Sequence, residues 1–252
     1  MAEPVDAKAH VAPGTSFHAA VGYLIAVIGL PLVGLAFVLI TYGVGLIIGI
    51  VALIMWRTNE RRNEALLRGS ALTVSEEQFP EVHAIAVEQA ERLGLASPPE
   101  VFIVEANQQN AAALKYGQKH FVVLFDEVVY GALATGNPEA LAFIIGHELG
   151  HHALGHTNLI RSQARQMWKP LSRVDEYSCD AVANALCGNL KAGRDALILL
   201  LIGPQLFNQV NRAALDEQAR EVVANKYSKQ AEKKLTHPLL LSRYAALIDA
   251  GV

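Results

Sequence analysis

Charge is what this 252-residue chain has least of. Only 18% of its residues are Asp, Glu, Lys or Arg against 52% hydrophobic, and none of the four occurs between Lys8 and Arg57. So long an uncharged stretch excludes an ordinary solvated surface for that part of the chain. Cysteine is nearly as scarce. Cys179 and Cys187 lie eight apart on one expected helix, which separates their Cα atoms by ~12 Å and rules out a disulfide between them. They read as reduced packing residues. A basic excess is missing too: 21 Lys and Arg against 24 Asp and Glu, a net charge of -3, give no field for nucleic acid. The leader carries Glu3, Asp6 and one lysine, so a cleaved signal peptide, with its basic start and short apolar core, fits poorly. Internal repeats and low-complexity segments are also lacking.

What is there begins with "FHAAVGYLIAVIGLPLVGLAFVLITYGVGLIIGIVALIMW", residues 17–56. As one helix it would rise ~60 Å, about twice the ~30 Å hydrocarbon core, so two bilayer spans fit better than one. A hairpin is expected, turning near Thr41, Tyr42 and Gly43. Pro31 is tolerated where neighbouring helices satisfy the backbone group it frees, and Gly45 with Gly49 would let the two helices approach closely. Arg57, Arg61, Arg62 and Arg68 follow the last apolar residue. The positive-inside rule keeps such a cluster in the cytoplasm, which places the following part of the chain on the cytoplasmic side of the cell's inner (plasma) membrane. The expected organisation is a tail (1–16), a transmembrane hairpin anchor in the lipid bilayer (17–56) and one domain (57–252).

That domain reads as α+β and mainly helical. A helix is expected from Ser75, Gln78 and Pro80 to Gly94, then strands at 100–105 and 120–129 with turn residues between them. Asn137 as N-cap, Pro138 at the first position and Glu139 in the first turn open another helix. "PLSRVDEYSCDAVANALCG" is a further helix stopping at Gly188. The apolar run 196–202 is too short to span a bilayer and is a core helix ended by Gly203 and Pro204. A charged helix follows, and Pro238 marks one more helix start.

The helix opened at Pro138 carries "HELGHHALGH". His147 and His151 are four apart, so they share one helix face and can share a zinc ion. Glu148 beside them is then the general base. A third ligand must come from elsewhere, because His156 misses the spacing at which a third histidine follows this motif. "DEYSCD" supplies Glu176, with Asp180 four residues on as a partner for a zinc-bound imidazole. Asp175 in place of Glu176 would turn the carboxylate about 100° around the helix. His152 and His156 are rotated off the zinc face and read as bystanders.

"HELGH", "SRVDEYSCDAVA" and "THPLLLSR", in that order and preceded by "FPEVHAIAVEQAERLGL" and "PPEVFIVEANQQNAAA", resemble the gluzincin metallopeptidases related to HtpX and the CAAX-prenyl endopeptidase, over roughly residues 70–250. The resemblance implies a zincin-like catalytic domain with a small sheet, one Zn2+ per chain on His147, His151 and Glu176, Glu148 as base, and Asp180 supporting a histidine ligand. It also implies His237 as oxyanion donor with Arg243 nearby, and Asn110 and Ala111 on the segment that pairs with an extended polypeptide substrate. The chain departs from the family in Ala112 and Ala113, where a bulkier residue is common, and in the 24 residues between His151 and Glu176, which leave no room for further spans. A membrane-anchored zinc endopeptidase, plausibly in protein quality control, is the expectation. The rival is a zinc-stabilised, non-proteolytic scaffold, which would have no use for Glu148.

Overall fold

The uncharged segment forms helices with no core of their own. The computed structural model describes residues 3–106 and 110–250. Helix α1 (Thr15–Leu24) continues through one π-helical turn (Ile25–Gly29) into α2 (Leu30–Ile40). Pro31, which lacks the N–H that a regular helix sends back to residue 27, follows directly on this wider turn. Thr15–Ile40 makes a 26-residue helix, long and apolar enough to cross a bilayer. Tyr42 and Gly43 then take φ of 50° and 89°, and α3 (Val44–Ser70) begins. The turn falls where the sequence places it. A Cβ at Gly45 would stand 2.9 Å from the Phe37 ring, so glycine permits the contact of α3 with α2.

A hairpin of two spans is not what the structure shows. Helix α3 is apolar only from Val44 to Trp56, about 20 Å of rise, before Arg57, Glu60, Arg61 and Arg62. Among the described residues only Thr15–Ile40 qualifies as a span. The charged half of α3 instead lies against the sheet: Arg68 makes a bidentate pair with Glu100 at 2.7 Å, and Lys119 reaches Glu64 at 2.7 Å.

The sheet is built from β1 (Leu72–Thr73), β2 (Glu100–Val104), β3 (Ala111–Tyr116) and β4 (Lys119–Phe125), with α4 (Pro80–Arg92) between the first two. Its order is β1-β2-β4-β3. β2 and β4 run parallel, and β3 pairs antiparallel with β4, Ala111 opposite Leu124, leaving β3 at an edge. β3 lies inside the stretch expected to be a turn. β4 is shorter than expected, because Asp126 accepts from Ala106 N at 3.0 Å and starts α5 (Asp126–Ala134), where acidic residues suit a helix N-terminus.

Helix α6 (Pro138–Ala153) is the axis of the domain. It starts as expected, the Asn137 side chain accepting from Ala140 N. Around it stand α7 (Leu159–Met167), α8 (Lys169–Cys187) and α9 (Leu190–Ile202). The shorter α10 (Pro204–Phe207), α11 (Arg212–Ala224), α12 (Lys226–Glu232) and α13 (Leu240–Asp249) complete the chain. Gly146 lets α8 come close: a Cβ there would lie 3.1 Å from Leu186 and 3.3 Å from the Ala183 backbone. On the far side, buried Asp195 of α9 is satisfied by Asn137, Lys191 and Arg212, since a buried carboxylate is tolerated only when paired.

The first residues of the chain pack on this domain. Val5 N donates to Arg92 O at 2.8 Å, Ala12 N to Ser178 Oγ at 2.9 Å, and Ala7 is buried. Farther along, Gly22 of α1 sits against Leu171 and Ala164, and Trp168 Nε1 donates to His18 Nδ1 at 3.1 Å.

Candidate metal centre

Helix α6 buries its polar residues. His147, Glu148, His151 and His152 are each 6–7% exposed. Their partners come mainly from α8, which the close approach at Gly146 brings alongside. Glu176 bridges the two zinc-motif histidines, Oε2 at 3.3 Å from His147 Nε2 and Oε1 at 3.4 Å from His151 Nε2. Donor atoms about 2.0–2.1 Å from a tetrahedral ion stand about 3.3–3.4 Å from one another, so the spacing fits one such ion.

Cys179 is a rival third donor: its Sγ and ligand atoms of His147 and His151 all lie within 4.8 Å. The two triads differ in geometry. Cys179 Sγ lies 3.5 Å from His156 Nδ1, on the Nδ1 side of His151, whereas the Glu176 oxygens face both Nε2 atoms. Burial works against charge on Glu176, but His147 and His237 outweigh it and hold the carboxyl well below its usual range. With one oxygen 3.3 Å and the other 3.4 Å from the two Nε2 atoms, the His147, His151, Glu176 set fits the metal better.

His147 has the support expected of it. Its Nδ1 lies 2.9 Å from Asp180 Oδ1, leaving Nε2 to face the centre. Burial and Arg243 oppose a charge on His147, yet Asp180 and Glu176 prevail and raise its pKa to about 9. Carboxylates able to do that favour a cation at this point. Arg243 lines the cavity, with Nη1 3.7 Å from Glu176 Oε2, and is held by Asp180. It is 7% exposed, with Nε at 2.7 Å from Asp180 Oδ2 and Nη2 at 2.5 Å from Oδ1. Burial pushes the Glu148 carboxyl up, and the Ala113 backbone of β3 bonds to it.

These groups open into a cavity of about 330 Å³ whose walls include Asn110, Ala111, Ala112 and Ala113 on one side and His237 on the other. Asn110 sits at the start of β3, its Oδ1 accepting from Ala111 N at 3.0 Å. His237, in the loop before α13, is 64% exposed at its side chain and has Nδ1 at 3.0 Å from Glu176 Oε2. Each site residue expected from the sequence thus lies in or against one cavity. His152 is a bystander as expected: Nε2 lies 3.0 Å from Phe121 O of β4 and the ring stacks on His120.

His156 is not one. Helix α6 ends in a left-handed turn at Gly155, φ 72°, with Gly155 N bonded to His152 O and His156 N to His151 O at 2.8 Å, the hydrogen-bond pattern of a Schellman motif. The reversal puts His156 Nδ1 at 3.1 Å from His151 Nδ1. Burial, reinforced by Arg165 and Arg161, takes its pKa down to about 2, so the ring is neutral. Asp175, read as an alternative ligand, faces away from the centre, fully buried and paired with Arg161.

Comparison with known proteins agrees with this geometry. Residues 76–169 match the model described as peptidase family M48. The match covers 94 of the 252 residues. The matched segment contains His147, Glu148 and His151 and ends before Glu176. A protein named Protease HtpX homolog, from Thermococcus kodakarensis, is 39% identical over 82 residues, 32% of this chain and 27% of that protein. The plastoglobule-localized metallopeptidase 48, chloroplastic, of Arabidopsis thaliana is 27% identical over 205 residues, 69% of this chain and 58% of that one. The chain thus spans about a quarter and somewhat over half of these relatives. No solved structure matches significantly.

Proposed function

We propose that the protein is a membrane-anchored zinc endopeptidase holding one Zn2+ per chain on His147, His151 and Glu176. The observation that carries this is Glu148: a structural zinc site takes four protein ligands and needs no base, whereas this one has three and a buried carboxylate beside them. That also disfavours the scaffold reading. When bound, the ion supplies Lewis acidity toward the scissile carbonyl and the attacking water. Glu148 takes a proton from that water at its carboxylate and passes it to the leaving amine nitrogen, helped by burial, which raises its pKa. His237, exposed at the cavity mouth, donates a hydrogen bond to the oxygen on which negative charge develops. Asp180 keeps the His147 proton on Nδ1, and Arg243, at the cavity wall, holds Asp180. The edge of β3 at Asn110 and Ala111 offers backbone groups to an extended polypeptide, and Ala112 and Ala113 leave side-chain room there.

In the same reading residues 17–56 anchor the chain as a hairpin. The Thr15–Ile40 helix is the span, and the shorter apolar part of α3 returns with Arg57, Arg61 and Arg62 at the cytoplasmic surface, where the catalytic residues 57–252 act. A role in protein quality control is part of the proposal, carried by the motif resemblance alone. The test uses the full chain in detergent with casein or a quenched peptide, comparing wild type with Glu148→Gln at equal zinc content. The expected loss is on the order of 10²–10⁴-fold with zinc retained; equal activity in both would sink the enzyme reading.

A further inference from the structure

The two histidines of the centre are backed to different depths. Behind His147 stand Asp180 and then Arg243. Behind His151 the chain of contacts is longer, and it runs to the other end of the sequence.

To ligate through Nε2, His151 must carry its proton on Nδ1, and that proton needs an acceptor. The neighbours of Nδ1 are His156 Nδ1 at 3.1 Å and Arg165 Nη1 at 3.3 Å. A guanidinium only donates, so the acceptor is His156. With His156 Nδ1 accepting, its own proton sits on Nε2, which lies 3.4 Å from Asp175 Oδ1. Arg161 grips both Asp175 oxygens, Nη2 to Oδ1 at 2.5 Å and Nε to Oδ2 at 3.2 Å. Its outer face is covered by Tyr23 of α1, whose hydroxyl is 3.4 Å from Nη1 and whose ring centroid is 5.6 Å from the guanidinium carbon. These proton directions are mutually consistent, and Cys179 Sγ, 3.5 Å from His156 Nδ1, is the one further neighbour of that nitrogen among the described contacts. Were Arg165 to donate to His151 Nδ1 instead, the His151 proton would move to Nε2 and block the ligand position.

We propose that His156, Asp175 and Arg161 form a positioning relay that sets the tautomer and ring orientation of His151 for metal binding, capped at its outer end by Tyr23 of the apolar N-terminal helix. The relay rests on the zinc reading above and extends it: the metal site is coupled to the membrane segment through four side chains. None of the four touches the cavity, so they position rather than catalyse.

The experiment measures Zn2+ affinity of the full chain in detergent by competition with a chromophoric chelator, together with the visible spectrum of the Co2+-substituted protein. His156→Leu and Asp175→Asn should bind about 10–100-fold more weakly and shift the cobalt bands. His156→Gln should stay within about threefold of wild type, because its amide both accepts from His151 and donates to Asp175. Tyr23→Ala should lose a few-fold and Tyr23→Phe, which keeps the ring, less. Where His156→Leu fails to fold, Asp175→Asn and His156→Gln carry the comparison, checked by melting of the metal-free proteins. Glu176→Ala separates the two readings. If it loses zinc while His156→Leu and Asp175→Asn match wild type in affinity and spectrum, the relay is overturned and the metal site stands. If Glu176→Ala binds zinc as wild type does, the metal reading itself is overturned. Unchanged affinity in Tyr23→Ala would remove the cap from the relay.

Discussion

Helices α2 and α6 reverse the usual relation between polarity and burial in opposite directions. Helix α2 has no buried residue and exposes Leu32, Val33 and Leu35 at 56–68%. Helix α6 buries three histidines and a glutamate. Each is costly in water, the first for its apolar surface and the second for its desolvated polar groups. The difference teaches that each helix suits something other than water: on the proposed reading, α2 hydrocarbon, and α6 charged neighbours and a cation.

The comparison breaks most sharply at His147. His147→Leu gives α6 an apolar residue where it now has a ligand, and zinc affinity should fall on the order of a thousandfold or more by equilibrium dialysis. Because Asp180 keeps Arg243, the metal-free protein should melt within a few degrees of wild type. Leu35→Arg is the converse change. It should cost about 2.5–3.5 kcal/mol of insertion and release a measurable share of the protein from membranes on alkaline extraction. Next comes Gly146→Val, which pushes α8 off α6 and should lower domain stability by about 1–3 kcal/mol in a denaturant titration. The smallest effect belongs to Leu32→Ala: the side chain packs on nothing in the domain, so the same titration should move by less than about 0.5 kcal/mol. A large loss there would mean that α2 is buried against protein and that the comparison is misdrawn.

The sequence made α6 legible because capping, periodicity and ligand spacing all act within one helix. Asn137, Pro138, His147 and His151 each stand where helical geometry puts them, and Glu176 with Asp180 follows the same rule on α8. What escaped lies where a local rule stops applying. β3 is an alanine-led run with little strand preference, held by its pairing with β4. His156 was projected along a helix that has ended: three residues past Ala153, the left-handed Gly155 returns it to the back of His151. Helix α7, which carries Arg161 and Arg165, gave no signal read from the sequence, and without it Asp175 had no visible partner. The membrane hairpin was drawn from apolar length alone, and α3 shows how much of that length belongs to a helix that leaves the apolar zone for the sheet.

The packing of the first two dozen residues changes how the chain is divided. Residues 5–24 lie on α4, α7 and α8, and the charged end of α3 is pinned to Glu100 and Lys119. Topologically the apolar segment is then an insertion into the folded body, with the polypeptide leaving it after α1 and returning along α3. A body held at both ends of its insert has a set bearing toward the bilayer, where a single tether would let it swivel. Cutting before residue 57 would remove part of the body together with its anchor.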